Sequence, residues 1–241
     1  MYFDRKQDVM TTDETDAPIR AFIDDVARAC NASGQPCGLR EMLFCIRDIP
    51  YGRPALPRDP LSVLADWRGT CSGKHLLAAR VLDIMGVASR LYCQSYRLDD
   101  AQDALPRAVT QSYVGHGIWD VHNYLEIETA SGPLKIDVTW SHTLADAGFP
   151  TTLDWDGATD FRIAAPPGEA IQVNDPAALN DLKESLLARL NMAPARAMRE
   201  QYILALAAFA SRHGSATGRD EGIALTLQAI RSRQAPHGAA A

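Results

Sequence analysis

Residues 118–140 read IWDVHNYLEIETASGPLKIDVTW. The first half alternates Val121, Asn123, Leu125 and Ile127 against His122, Tyr124, Glu126 and Glu128. The second half alternates Leu134, Ile136, Val138 and Trp140 against Lys135, Asp137 and Thr139. A period of two is the mark of a strand. The short TASGP segment between the halves joins them into a β-hairpin. With the loop centred between Thr129 and Ala130, His122 and Asp137 stand directly opposite each other. Opposed residues share a face, with Cβ atoms about 4.5–5.5 Å apart. That is suitable spacing for a carboxylate to accept a hydrogen bond from an imidazole. Leu125, Ile127, Ile136 and Val138 make the core side, and His122 and Asp137 lie on the polar side.

Upstream, VASRLYCQSYRL (87–98) is dense in β-branched, aromatic and alternating residues and predicts another strand. Before it lies RGTCSGKHLLAAR (68–80), where small residues lead into Cys71 and an apolar run follows. Leu77, Val81 and Ile84 recur at helical spacing, Leu76 and Leu82 widen the stripe, and Gly86 is a natural stop. The N-terminal end of this helix is expected to pack against the polar face of the hairpin.

Further out, residues 18–30 place Ile19, Phe22, Ile23 and Val26 on one helical face, with Pro18 in the first turn. A second helix over 39–49 carries Leu39, Met42, Leu43 and Ile46. Residues 50–60 contain four prolines and predict a loop. Residues 99–112 and 141–175 read as irregular, with Trp155 and Phe161 as anchors. Amphipathic helices over roughly 176–191, 195–212 and 220–232 close the chain. Helices, an antiparallel sheet and helices again make an α+β fold. Residues 1–16 are expected to be a flexible tail, 17–175 the main domain, 176–233 a helical extension packed on it, and 234–241 a frayed end.

The 241 residues are 46% hydrophobic and 22% charged, as in ordinary soluble domains. A net charge of −6 gives no electrostatic case for nucleic acid or an anionic membrane. The N-terminal stretch is polar and acidic, unlike a secretory signal, and no run approaches a membrane span. The five cysteines are an odd number without a CxxC pair. The expectation is a cytoplasmic protein with free thiols and no cofactor.

Cys71 at the mouth of a helix points to nucleophilic chemistry. The reactive form is the thiolate, and an ordinary thiol with pKa near about 8.5 is mostly protonated at neutral pH. A helix N-terminus carries roughly +0.5 charge, and a protonated histidine adds more. Asp137 would fix the tautomer of His122 and stabilise its charged form. Backbone N–H groups around Cys71 would hold an oxyanion, while Gly69 and Gly73 would let substrate close to the backbone.

GTCSGKHLLAARVLDIMGVASRLY resembles the cysteine motif of the transglutaminase-like superfamily, a Gly-x-Cys followed by an apolar helix and a Gly-Val-x-x-Arg exit into a strand. HNYLEI resembles the histidine strand of that family, and LKIDVTW its aspartate strand ending in Asp-x-Thr. The match covers about residues 60 to 140, and order and spacing are its specific part. It implies a papain-like core in which a cysteine helix packs on an antiparallel sheet. It assigns Cys71 as nucleophile, His122 as general base and acid, and Asp137 as orienting carboxylate. Asn123 and Tyr124 depart from the usual Ala-Trp. No clear counterpart exists for the upstream oxyanion donor of some members; Trp67 and Tyr51 are the candidates, with Thr70, Ser72 and Asn123 as further substrate or oxyanion contacts.

Blander readings stand beside these. Cys30, Cys45 and Cys93 fall in apolar patterns and read as structural, and Cys37 is a loop residue. His75, one turn past Cys71, either touches the site or, as the commoner case, lies on the helix surface, while His116 and His142 rival His122, and Asp120 rivals Asp137. Lys74 and Arg68 are either substrate-carboxylate binders or solvated. The C-terminal helices read as packing or an oligomer surface. Residues 99–116 and 141–170 are expected to line the cleft. The function read from this is acyl transfer or amide hydrolysis through a thioester, on a peptide, protein or small-molecule substrate. The alternatives are an arylamine N-acetyltransferase-like enzyme using an acyl-CoA, to which Arg68-Gly69-Thr70-Cys71 is a partial match, and an inactive binding module.

Overall fold

A computed structural model describes residues 12–101, 104–214 and 217–234. Its helices are α1 (Thr12–Ala32), α2 (Leu39–Asp48), α3 (Pro60–Asp66), α4 (Cys71–Ile84), α5 (Arg107–Thr110), α6 (Leu179–Leu190), α7 (Ala193–His213) and α8 (Arg219–Gln234). Its strands are β1 (Ser89–Arg97), β2 (Trp119–Thr129), β3 (Gly132–Ile136) and β4 (Ala170–Val173). The strands form one antiparallel sheet in the order β3-β2-β1-β4, flanked by helices, so the chain is α+β. Among the described residues no helix is long and apolar enough to cross a membrane.

Helix α1 begins before the expected boundary, at Thr12. Asp16 is buried there and accepts two hydrogen bonds from Arg80 of α4, tying the first turns to the body. The rest of the expected tail, 1–11, lies outside the described residues, as does 235–241 of the expected frayed end. The proline-rich stretch ends in a helix that the sequence reading missed. Pro60 opens α3, where a missing N–H and a fixed φ cost nothing. Asp59 caps it by accepting from the Leu61 and Ser62 N–H groups. Strand β4 escaped notice because it is short and exposed at its first three positions, leaving no alternation to read.

The hairpin forms with a different register. Leu125 pairs with Ile136 and Thr129 with Gly132, so the turn is centred between Ala130 and Ser131. The Thr129 hydroxyl donates to the Gly132 carbonyl and accepts the Ser131 N–H, which fixes that turn. Pairing moves by two residues, so face assignments survive. Asp137 is therefore a diagonal neighbour of His122 instead of standing directly opposite it. Strand β3 also stops at Ile136, short of the Trp140 that the alternation suggested. The Asp137 carboxylate accepts the Thr139 and Ala164 N–H groups, giving those amides a partner outside the ladder.

Helix α4 packs its body on the apolar face of β1 and β2, while its N-terminal turns reach the Asp137 side through His75 Nε2, 3.5 Å from Asp137 Oδ1. Leu77 and Val81 share a buried cluster with Leu91, Leu125, Ile127, Ile136 and Val138. At its N-terminal end, the Ser72 hydroxyl donates to Asn123 Oδ1 of β2 at 2.8 Å. The C-terminal helices belong to the same body: α6 and α7 pack on β2, and α8 on α1 and α2. A second buried cluster joins Tyr202 and Leu206 of α7 to Tyr96, Trp140 and Phe149. Trp155 and Phe161 are buried edge-to-face with ring centroids 5.2 Å apart, the anchoring expected of them.

Gly73 places the cysteine helix. A Cβ there would stand 2.8 Å from both the Pro57 carbonyl oxygen and Val63 Cγ2, and one at Gly69 would stand 2.6 Å from Lys74 Cγ. The space at both glycines is filled by the chain itself, not left for substrate as the sequence suggested. Gly73→Ala is expected to cost about 1–3 kcal/mol of stability through overpacking, read as a lower urea midpoint.

Candidate active site

Cys71 is the first residue of α4 and is half-buried. Thr70 precedes it in extended conformation without a side-chain cap; its hydroxyl donates to the Pro57 carbonyl at 3.3 Å. The N–H groups of Cys71, Ser72 and Gly73 have no intrahelical partners. The thiol thus sits at the positive end of the helix.

His122 and Asp137 meet at the end of the hairpin where β3 stops. His122 Nε2 lies 2.6 Å from Asp137 Oδ2, and both residues are buried. The other three polar contacts of the Asp137 carboxylate are the Thr139 N–H at 3.0 Å, the Ala164 N–H at 2.7 Å and His75 Nε2 at 3.5 Å. Two of these are backbone donors to the carboxylate. His122 Nε2 therefore carries its hydrogen toward Asp137, and Nδ1 is the nitrogen left for the thiol, with which the imidazole interacts.

His75 is fully buried, not on the helix surface. Its Nδ1 lies 2.6 Å from the Cys71 carbonyl oxygen, and its Nε2 accepts the Val138 N–H at 3.1 Å. Those partners place a proton on Nδ1. His75 thereby ties the Cys71 turn to the segment that carries Asp137. Its ring stands perpendicular to that of His122, with centroids 6.0 Å apart.

Lys74 is buried too and binds no substrate. Its Nζ donates to the carbonyls of Arg47 at 2.6 Å, Ile49 at 2.9 Å and Thr139 at 2.9 Å. Three N–H donors meet three acceptors, joining α2, α4 and the Asp137 segment. Arg68 is exposed and lines a different cavity.

Lys183 of α6 is the residue that sequence reading missed altogether. It is buried, with Nζ 2.9 Å from Ser72 Oγ, 2.8 Å from Asn123 Oδ1 and 3.9 Å from Cys71 Sγ. One signal for it exists in the sequence. Lys183 falls on the same helical stripe as Leu179, Leu186 and Leu187, where a charge is out of place unless it has a task.

These groups set the protonation of the site. Burial pushes the Cys71 thiol up, but the Lys183 ammonium and the His122 imidazole outweigh it and bring the thiol down to about 6. A unit charge at about 4 Å is worth about 4 kcal/mol at an effective dielectric of about 20, enough to reverse a desolvation penalty of similar size. Burial opposes the His122 cation, yet the Asp137 carboxylate and the Cys71 thiol carry it up to about 10. Between those values the pair is thiolate and imidazolium. Asp137 is held well below the usual carboxylate range; burial works against its charge, and His122 overcomes it.

A cleft of about 510 Å³ opens on Cys71, walled by Tyr51, Pro57, Thr70, Val121, Lys183 and Arg199 among others. The expected walls, 99–116 and 141–170, contribute none of it. The proline-rich loop and helices α6 and α7 do, because those helices fold back over β2. Exposed ion pairs Arg53–Glu200 and Arg58–Glu184, each at 3.0 Å, link the loop to the helices.

The remaining candidates divide. Tyr51 borders the cleft and packs on Trp140 with ring centroids 4.4 Å apart. Ser72 lines the cleft, while Asn123 is wholly buried behind it and serves as a shared acceptor for Ser72 and Lys183. Trp67 stands elsewhere, packed on Phe22 and lining a neighbouring cavity. Among the rivals, Asp120 is paired with Arg199 at 2.7 Å, His142 with Asp48 at 2.7 Å, and His116 is exposed. Among the described residues no three His, Cys, Asp or Glu side chains form a metal-binding group. In comparisons with protein-family models, curated proteins and solved structures, the chain matches none.

Proposed function

We propose that the protein is a transglutaminase-like cysteine enzyme that transfers or hydrolyses an acyl group through a thioester on Cys71. The observation that carries this reading is a helix-mouth thiol whose charge His122 favours, with that histidine's far nitrogen held 2.6 Å from a buried aspartate. The thiolate of Cys71 attacks the acyl carbon, and the charge it gives up passes to the carbonyl oxygen. First-turn N–H groups of α4 face that charge. The His122 imidazolium hands its proton to the leaving group as the carbon–heteroatom bond breaks, leaving the thioester. Neutral His122 then takes a proton from water or an amine, which attacks the thioester; the carbon–sulfur bond breaks and the thiolate–imidazolium pair is restored. Asp137 holds the imidazole in the tautomer that both steps need.

A generic activated ester, p-nitrophenyl acetate, tests this without knowledge of the natural substrate. The wild-type protein is expected to release a burst of p-nitrophenolate and to carry an acetyl group on Cys71 by peptide mass spectrometry. Cys71→Ala is expected to give neither. Equal acetylation of both proteins, or labelling spread over the other thiols, sinks the reading. Cys30, Cys45 and Cys93 serve as internal controls, since burial pushes all three thiols up.

A further inference from the structure

The proposed chemistry needs a second donor for the oxyanion, and the sequence offers no upstream residue of clear standing for it. Tyr51 borders the cleft, Trp67 is outside it, and the helix mouth alone supplies backbone N–H groups. Lys183 meets the requirement from the opposite end of the chain. Its ammonium has three hydrogens. One goes to Asn123 Oδ1 and one to Ser72 Oγ, whose own hydrogen is already donated to Asn123. The third is left on the side of Cys71 Sγ, 3.9 Å away.

Both oxygen partners of this lysine are neutral. Among the described residues no carboxylate stands within ion-pair distance of it, although it is only 4% exposed. A buried ammonium is costly without an anion, and the one it faces is the Cys71 thiolate, 3.9 Å away. The other long cations of the cleft differ: Arg53 and Arg58 each face a glutamate, and Arg199 faces Asp120 and Glu200. Lys183 also lines the cleft wall beside Thr70 and Cys71, so it is positioned to touch a bound acyl group.

We propose, resting on the thiol-enzyme reading, that Lys183 is a catalytic residue that neutralises first the Cys71 thiolate and then the oxyanion formed when it attacks. As the sulfur–carbon bond forms, the carbonyl π pair becomes the oxyanion and the negative charge moves from sulfur to oxygen. The ammonium lies within reach of both positions and needs no proton transfer to serve either. When the carbonyl re-forms, the leaving group departs with its electron pair. The Ser72–Asn123 hydrogen bond holds the ammonium in place, which explains the polar pair beneath the cysteine turn.

Two reagents separate the two charges. Iodoacetamide alkylates the thiolate by displacement and creates no oxyanion, whereas p-nitrophenyl acetate acylates it and does. Rates of both are measured against pH for wild type, Lys183→Met and Lys183→Gln, with circular dichroism to confirm folding. In both variants the pH midpoint for Cys71 alkylation is expected to rise toward the range of an ordinary thiol. At the high-pH plateau, where the thiol is ionised in every variant, alkylation is expected to stay within about threefold of wild type. Acylation at the top of its pH profile, divided by the thiolate fraction that alkylation reports at the same pH, is expected to fall by about 10²-fold, the usual loss for one oxyanion donor. The glutamine variant keeps a neutral donor to Asn123, so it stands in if the methionine variant does not fold. A wild-type acylation rate per thiolate in either folded variant overturns the role of Lys183 alone. Absence of any Cys71 adduct in the wild-type protein overturns the thiol-enzyme reading instead, and this inference with it.

Discussion

Acylation of Cys71 is expected to follow a bell in pH, rising through about 6 and falling through about 10, and Asp137→Asn is expected to collapse that bell. The rising limb is ionisation of the thiol, the falling limb deprotonation of His122. Alkylation needs only the thiolate, so its profile is expected to rise through about 6 and stay high. In Asp137→Asn the imidazolium loses its counter-charge, so the falling limb moves down while the thiol limb moves up. The working window closes from both sides. Loss of acid–base catalysis is typically worth 10²–10⁴-fold, and a drop of about 10³-fold in acylation near neutral pH is expected. The exchange also damages the site structurally. His122 Nε2, the Thr139 N–H and the Ala164 N–H all need an acceptor. An asparagine turns one oxygen into a donor whichever way it is placed, which adds a stability loss of about 1–3 kcal/mol. A wild-type bell in the variant contradicts the role assigned to Asp137.

Lys74→Met is expected to be the most destabilising single change near the site. Methionine refills the channel of the lysine stem but leaves three buried carbonyls, of Arg47, Ile49 and Thr139, without their donor. Each orphaned group costs about 1–3 kcal/mol. The variant no longer bears the desolvation of a buried ammonium, which offsets part of this. A net loss of about 3 kcal/mol is expected, read as a lower urea midpoint at unchanged slope. Because the Thr139 carbonyl lies two residues from Asp137, the variant is also expected to raise the alkylation midpoint of Cys71. Unchanged stability would mean that the three carbonyls find other donors.

Both experiments concern residues of very different legibility. Cys71, His122 and Asp137 carried local signatures: small residues before an apolar helical stripe, and two alternating strands joined by a short loop. Lys74 and His75 sit inside the first of those signatures, yet nothing local marks them as buried. Apart from the Cys71 carbonyl, four residues from His75, their backbone partners are 25 to 65 residues away, among them the carbonyls of Ile49 and Thr139 and the Val138 N–H. The hairpin register moved by two for a related reason. Alternation fixes which face a residue takes but is blind to shifts of two, and here the Thr129 hydroxyl and Gly132 set the turn.

Helices, sheet and helices were readable in order, because hydrophobic period is a local property that each segment carries with it. That an imidazole and a carboxylate would meet was readable for the same reason, since His122 and Asp137 belong to one hairpin. The walls of the cleft and the lysine beside the thiol were not. Lys183 stands 112 residues beyond Cys71, and its contact exists because α6 folds back over β2. That docking follows from burial of a stripe shared by leucines and one lysine. A stripe names a face to be covered without naming what covers it.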